Sequence, residues 1–352
     1  MNFLRGLEHR LRGLTGWRRL LVAFACGAAS ALGFALVEFF PAMLLAYGAL
    51  VLLLDGADRG PRALRRAAAI GWAFFFGQFL IGLHWIVYPF MVDPDNHLWQ
   101  MPLAIFLPAG LGLFGALAAS AAIHFWQDGP VRIVLFAVCF TAAEWLRGHV
   151  LTGFPWNLSA YGWGASLAVL QSASLVGAYG LSFLTLLFGA SLAEWANGRW
   201  RLPAAMLLLF GGLWGYGAWR LAASPIADVQ GVSLRLVQPN IPQPEKYASH
   251  LLLRNWQRLV DLSAAPGRPT HIIWPEAATG FPVARSAGAL DQIGLFTARG
   301  QTLITGSDRV LRESGRVVAY NSLYLFGPGG ALPLVYDKFH LVPFGEYVLS
   351  LI

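Results

Sequence analysis

The sequence is short of charged residues. Only 12% of its 352 residues are charged, whereas 57% are hydrophobic. A soluble domain of this length could not bury so much apolar surface in one core, so a mean hydropathy of +0.55 indicates a protein of the lipid bilayer. The formal net charge of +7 does not indicate nucleic-acid binding, because most basic residues lie in short loops between apolar runs, where they determine membrane topology.

Cysteine and lysine are scarce as well. The two cysteines, Cys26 and Cys139, lie inside long apolar runs, where a thiol usually packs as a small hydrophobic group. They give neither a disulfide framework nor the spacing of a zinc site, and nothing in the sequence calls for a metal or an organic cofactor. Of the 25 basic residues only Lys246 and Lys338 are lysines.

Seven apolar segments precede Arg220. A helix needs about 20 apolar residues to cross a bilayer, so residues 1–222 are predicted to form a membrane α-helical bundle of about seven transmembrane helices. The predicted spans are Leu20–Val37, Pro41–Asp55, Ala67–Val92, Trp99–Trp126, Val131–Leu146, Ser166–Ala193 and Leu202–Trp219.

The loops between these segments alternate in charge. Arginines precede the first span and follow the second, fourth and sixth, whereas the loops after the first and third contain only acidic charges. Because basic residues near span ends stay in the cytoplasm, the N-terminus is predicted to be cytoplasmic. Seven crossings then place everything after Arg220 outside, which for the inner membrane of a Gram-negative cell is the periplasm.

One membrane segment, Glu144–Trp156, has unusual chemistry: glycine, proline and tryptophan interrupt it near two charged residues. On one interpretation it is an interfacial aromatic belt in which Glu144 and Arg147 form a local ion pair. On the other, Glu144, Arg147 and Trp156 line a lipid-facing wall of an active site.

After residue 222 the composition changes, and short strand-like runs alternate with turns. Strand, helix and strand in that order predict an α/β layer, with hairpins among the later strands. The helix is predicted at Leu251–Ala264, and the strands at Ser233–Val237, His271–Trp274, Thr302–Thr305, Ser322–Phe326 and Pro333–Tyr336.

Two positions in this region carry chemistry. Glu276 follows a predicted buried strand, at the kind of edge where α/β folds place their sites. Between apolar neighbours its pKa would be raised, which suits a general base, although a glutamate at a strand end is usually a solvated surface residue. Lys338 stands out because arginine is used almost everywhere else. A compact ammonium there could stabilise an oxyanion, and codon bias is the competing explanation.

Three motifs together resemble one family. Gln238-Pro-Asn-Ile-Pro-Gln243, Trp274-Pro-Glu-Ala-Ala278 and Lys338-Phe-His-Leu-Val-Pro-Phe-Gly-Glu346 are similar to the nitrilase-type domain of apolipoprotein N-acyltransferases, members of the carbon-nitrogen hydrolase superfamily. The segment Glu144–Trp156 is similar to that family's membrane signature. The resemblance implies that residues 223–352 form part of a nitrilase-like αββα sandwich on the periplasmic side.

The resemblance also implies roles. Glu276 would be the general base, Lys338 would stabilise the tetrahedral oxyanion, Glu346 would orient that ammonium, and Tyr247 would line the substrate entrance. The acyl donor would be a phospholipid, typically phosphatidylethanolamine. Its acyl chain would pass through a cysteine thioester to the α-amine of the diacylglyceryl-cysteine of an apolipoprotein.

The sequence departs from the family pattern at the nucleophile. In the family the cysteine lies well downstream of the lysine segment, and this sequence stops at Ile352. We therefore expect a C-terminally truncated chain that is inactive by itself. A catalytically inactive membrane protein that binds lipid or a lipoprotein is the alternative. A transporter or channel ranks lowest, because the spans carry almost no internal charges.

Overall fold

The structure is a computed structural model that describes residues 2–35, 37–57, 60–91, 94–224, 227–313, 316–332 and 334–341. It divides into two compact units, residues 1–225 and 226–352, here called the helical unit and the sheet unit. Each unit has a hydrophobic core of its own.

Eight helices of more than ten residues are described in the helical unit. Their sequences are rich in alanine, leucine and phenylalanine, and Pro41 stands in the first turn of its helix, where a missing N–H costs nothing. The helices are α1 (Asn2–Gly13), α2 (Gly16–Ser30), α3 (Phe40–Asp55), α4 (Ala63–Gly82), α5 (Phe106–His124), α6 (Val131–His149), α7 (Ala173–Ala196) and α8 (Arg201–Ala223).

The membrane-spanning capacity of these helices varies. Among the described residues, three helical segments are long and apolar enough to cross a bilayer: Pro94–His124, Ala173–Ala196 and Arg201–Ala223. Helix Ala63–Gly82 and the 3₁₀ segment His84–Met91 would make a fourth, although they are bent by 48°. The chain is thus a mostly helical membrane protein. A helix overlaps each of the seven predicted segments, but the length and composition of the helices support only three or four crossings.

Close backbone approaches hold the bundle together. A Cβ added to Gly27 would lie 1.8 Å from the carbonyl oxygen of Phe74, and one added to Gly71 would lie 2.2 Å from that of Gly115. Small residues of this kind let helices in a membrane pack at short distance. Around these contacts the aromatic rings of Tyr47, Phe74, Phe136 and Phe140 are fully or almost fully buried.

Several charges of the helical unit are buried in pairs. Arg132 lies between Asp55, at 3.0 Å, and Glu194, at 2.6 Å, and all three side chains are largely buried. Arg12 of α1 also reaches Asp55, at 2.8 Å. Removing one partner of a buried pair leaves an uncompensated charge, at a cost of about 3–5 kcal/mol. The network therefore fixes α1, the start of α6 and the ends of α3 and α7 to one another.

The sheet unit contains five strands in the order β1-β2-β3-β4-β5. The first three are parallel, and β3, β4 and β5 are antiparallel neighbours. The strands are β1 (Leu234–Leu236), β2 (His271–Ile273), β3 (Thr302–Glu313), β4 (Arg316–Phe326) and β5 (Leu334–Asp337), with helices α9 (Leu252–Ala264) and α10 (Ala287–Thr297).

The predicted strands and the helix that becomes α9 are all present. Two features differ from the sequence interpretation. The stretch between 307 and 320, expected as a connection, continues β3 and β4 into a long hairpin, and α10 was not predicted.

Both helices pack on one face of this sheet. Trp256 and Ile293 from the helices are buried with Ile272, Leu303 and Tyr324 from the strands. Side chains alternate between the two faces of a strand, and the other face is apolar but exposed. Its exposed side chains include Leu234, Leu236, Leu323, Leu334 and Tyr336.

Candidate functional site

Glu276 lies just beyond the end of β2, on a segment that runs alongside β3. Trp274 N–H donates to the carbonyl of Ile304 at 2.9 Å, and Ala278 N–H donates to that of Gly306, also at 2.9 Å. Gly306 is required here, because an added Cβ would lie 2.8 Å from Cα of Glu276. The backbone therefore fixes the origin of the carboxylate side chain with little freedom.

The environment of this carboxylate differs from the predicted one. The Glu276 side chain is 65% exposed rather than enclosed by apolar neighbours. The expected enclosure between apolar neighbours is therefore wrong, and the alternative of a solvated position at a strand end describes the exposure of Glu276 better. Its partners, rather than its burial, define the site.

Lys338 and Asn321 both contact Glu276. Lys338 Nζ lies 3.2 Å from Glu276 Oε1, and Asn321 Nδ2 donates a hydrogen bond of 2.6 Å to the same oxygen. The backbone N–H of Lys338 also donates to the carbonyl of Asn321 at 2.8 Å. Residues 62 positions apart thus converge, so the carboxylate and the ammonium selected from the sequence share one site.

An ion pair next to Lys338 holds β5 in place. Arg309 on β3 forms a two-pronged contact with Asp337, whose Oδ1 lies 2.9 Å from Nε, and the Ser322 hydroxyl donates to Asp337 at 2.6 Å. The guanidinium lowers the pKa of Asp337 below its usual value. Three strands are therefore tied together one residue before Lys338.

Lys246 and Tyr247 belong to the same neighbourhood. Burial lowers the pKa of Lys246, and the negative charges of Asp308 and Glu276 oppose that shift. Burial also raises the pKa of Tyr247, and the charge of Asp308 adds to it. The ammonium of Lys246 lies 5.7 Å from the centre of the Tyr247 ring. Tyr247 is half exposed.

Sequence reasoning missed three residues around Glu276. Lys246 carried a usable signal, since it is one of only two lysines, the argument that singled out Lys338. Asn321 and Asp308 carried none, because they become neighbours only through the register of β3 and β4, in which they are paired. Glu346, predicted to orient Lys338, lies outside the described residues.

In the helical unit, Glu144 and Arg147 are buried and Trp156 is half exposed. No ion pair within 4.0 Å joins Glu144 to Arg147 in the described part of the chain, so the predicted local pair is absent there. Instead Arg147 donates to the carbonyls of Phe154 and Trp156, and Glu144 accepts from Ser159. Among the described residues there is also no cluster of potential metal ligands.

These features define a class: a membrane protein whose sheet unit pairs a carboxylate with an ammonium. A family profile described as the apolipoprotein N-acyltransferase N-terminal domain matches residues 26–191. The apolipoprotein N-acyltransferase of Allorhizobium ampelinum is 40% identical over 358 residues, which cover 97% of this chain and 67% of the relative.

Two further relatives give the same result. Those of Brucella melitensis and Rhodopseudomonas palustris, also named apolipoprotein N-acyltransferase, are each 39% identical and are covered to 68% and 66% of their lengths. The chain belongs to the apolipoprotein N-acyltransferase family, a family of acyltransferases, and it spans about two thirds of the length of these relatives.

Proposed function

We propose that the protein transfers an acyl chain from a phospholipid to the α-amine of the N-terminal diacylglyceryl-cysteine of apolipoproteins. The observation that carries this proposal is the 3.2 Å contact between Lys338 and Glu276, within a chain of this family. Phosphatidylethanolamine is the proposed donor. The diacylglyceryl apolipoprotein and the bilayer are the other partners, and no cofactor is required.

The proposed chemistry proceeds in two half-reactions. Glu276 takes the proton of a cysteine thiol, and the thiolate attacks the ester carbonyl of the phospholipid. Lys338, oriented by Glu346, stabilises the tetrahedral oxyanion. The lysophospholipid then leaves with a proton. In the second half-reaction the lipoprotein amine attacks the thioester, an amide forms, and the thiol is restored. Tyr247 lines the entrance for these substrates.

The nucleophile in this scheme is a cysteine of the nitrilase-like domain. Cys26 lies on α2 and Cys139 on α6, both within the helical unit and partly buried. In that unit they pack against the hydrophobic core. We propose that neither serves as the nucleophile, so that the 352 residues alone complete no acyl transfer.

An acyl-transfer assay tests this proposal. Purified protein receives phosphatidylethanolamine and a synthetic diacylated lipopeptide, and mass spectrometry follows the gain of one acyl chain on the peptide. The 352-residue chain is expected to yield no product. A longer form of the protein that supplies the cysteine of the nitrilase-like domain next to Glu276 and Lys338 is expected to yield product, which Glu276→Gln and Lys338→Met should each abolish. Product that survives both substitutions would refute the assigned roles.

The membrane arrangement is a separate proposal. We propose that residues 1–222 cross the inner membrane seven times from a cytoplasmic N-terminus, and that residues 223–352 form part of a nitrilase-like αββα sandwich in the periplasm. The exposed apolar face of the sheet supports the proposed sandwich, because a second sheet packed against that face would cover it. A reporter fused after Arg220 should be active only in the periplasm, and cytoplasmic activity would contradict the seven-span count.

A further inference from the structure

One turn near the end of α6 holds the segment that follows it. The Arg147 side chain is 3% exposed, and its Nη1 donates hydrogen bonds of 2.6 Å to the carbonyl oxygens of both Phe154 and Trp156. Its guanidinium carbon lies 4.9 Å from the centre of the Phe79 ring. Hydrogen bonds from a charged donor are stronger than neutral ones, so this one side chain pins residues 154–156.

A second anchor comes from the same helical turn. Glu144, 4% exposed, accepts hydrogen bonds at Oε1 from the backbone N–H of Ser159, at 3.0 Å, and from its hydroxyl, at 2.7 Å. The hydroxyl of Tyr47 is also 2.7 Å from that of Ser159. Glu144 and Arg147 therefore hold residues 154–159 at both ends.

The backbone is strained within this stretch and in the turn that precedes it. Leu151, Thr152 and Asn157 have φ values of 53°, 74° and 53°, in the left-handed region that non-glycine residues avoid. Each such residue costs on the order of 1–3 kcal/mol and persists only where surrounding contacts enforce it. The two buried side chains supply those contacts.

Two apolar side chains of the segment are exposed. Leu151 is 91% exposed and Trp156 is 52% exposed. The ring of Trp156 lies 5.4 Å from that of Trp85, which limits its orientation. Tryptophan and leucine are the side chains expected at a surface that faces lipid. The carbonyls of Phe154 and Trp156 thus bond to a buried side chain, while the side chains of Leu151 and Trp156 remain exposed.

We propose that Glu144 and Arg147 are positioning residues, which do not touch the acyl donor but hold residues 150–158 in the shape that presents Trp156 to a phospholipid. The lipid as substrate rests on the proposed function. The anchoring of the segment rests only on the contacts within the helical unit. Two measurements can therefore test separately the anchoring of the segment and the presentation of Trp156 to a phospholipid.

Hydrogen exchange tests the anchoring. In Arg147→Lys the shorter, non-planar side chain cannot both reach the two carbonyls and lie over Phe79. The amides of Gly153, Phe154 and Ser159, all hydrogen-bonded in the structure, should then exchange at least about tenfold faster in the full chain, a change typical of losing one charge-assisted hydrogen bond. Unchanged exchange would overturn the proposal.

Arg19→Lys provides a matched control. Arg19 is also buried in the helical unit and also donates to two backbone carbonyls, those of Leu14 and Arg12. Its substitution should leave exchange at 150–159 unchanged. If Arg147→Lys does not fold, Glu144→Gln replaces it. That variant keeps an acceptor but loses the charge, and it should speed exchange at Ser159 alone.

Photo-crosslinking tests the presentation of Trp156. The full chain carries a photo-reactive amino acid at position 156 and is placed in nanodiscs of phosphatidylethanolamine. It should form a phospholipid adduct, and Arg147→Lys should reduce the yield severalfold, whereas Arg19→Lys should not. Faster exchange with an undiminished adduct would overturn the positioning role. Because neither readout needs turnover, failure of the acyl-transfer proposal would leave both results interpretable.

Discussion

A single carboxylate oxygen organises the residues of the candidate site. Glu276 Oε1 is approached by Nδ2 of Asn321 at 2.6 Å and by Nζ of Lys338 at 3.2 Å. Lys338 is anchored a second time through its backbone N–H, which bonds to the carbonyl of Asn321. Asn321 therefore contacts both partners, and the carboxylate and the ammonium are held in a fixed relation before any substrate arrives.

Lys246 gives the first prediction at this scale. Burial holds its pKa below the ordinary value of about 10.4, so its amine should react with a lysine reagent with a half-maximal pH below that value. In Asp308→Asn an opposing negative charge is lost, so the pKa should fall further and labelling at pH 8 should rise. Peptide mass spectrometry can measure this, because each of the two lysines falls in its own peptide.

The control for this experiment is Asp261→Asn, which removes the same charge from an exposed position on α9. It should leave Lys246 labelling unchanged. A half-maximal pH at or above the ordinary lysine value in the wild-type protein would contradict the buried environment assigned to Lys246.

At the level of single residues, the sequence identified the two charged residues of the site but not their neighbours or their exposure to solvent. Glu276 and Lys338 could be selected because a strand end and a rare residue type are visible in a sequence. Asn321 could not, since its contact with Glu276 depends on how β4 lines up beside β3. The exposure of Glu276 was also missed, because apolar neighbours in sequence do not guarantee apolar neighbours in space.

Among the elements, β3 carries the site. It pairs with β2 on one side and β4 on the other, and beyond the end of β2 it supports the Trp274–Ala278 segment through Gly306. Farther along β3, the negative charge of Asp308 acts on Lys246, and Arg309 pairs with Asp337. A shift of this strand would therefore displace both the carboxylate and the ammonium.

Gly306→Ala is the prediction for this element. The new Cβ would lie 2.6 Å from the backbone nitrogen of Ala277, so backbone must move, which typically costs about 1–3 kcal/mol. We expect a loss of stability of that order in denaturant unfolding of the sheet unit. Gly288→Ala on α10 is the control. Nothing lies within 4 Å of its added Cβ, and it should be neutral or stabilising by up to about 1 kcal/mol. Equal effects of both substitutions would contradict the role of Gly306.

Element boundaries were predictable where hydrophobicity alone sets them. β1, β2 and α9 follow apolar runs or a helical repeat, and the sequence located all three. The outer part of the β3–β4 hairpin contains Asp308, Arg309 and Arg312, which resembles a solvated loop. Its strands are stabilised by cross-strand pairing, and Asp337 provides a partner for Arg309 that a local pattern cannot show.

For the whole molecule, composition was enough to identify a membrane protein. The spacing of the apolar segments was not enough to establish the number of membrane crossings. The membrane character followed from apolar content. The number of spans did not, because α2 and α3 have only 15 and 16 residues and α4 continues into a bent 3₁₀ segment. The buried network of Asp55, Arg132 and Glu194 was also unexpected, since the spans were thought to carry almost no internal charge.

The central claim is that Glu276 and Lys338, from separate segments of the sheet unit, form one site. The labelling rate of Lys338 at pH 8 in Glu276→Gln, compared with the wild-type protein and with Asp261→Asn, tests it most directly. An ammonium 3.2 Å from a carboxylate is stabilised in its unreactive charged form. Labelling should therefore be severalfold faster in Glu276→Gln and unchanged in Asp261→Asn, and equal rates in all three proteins would contradict the account.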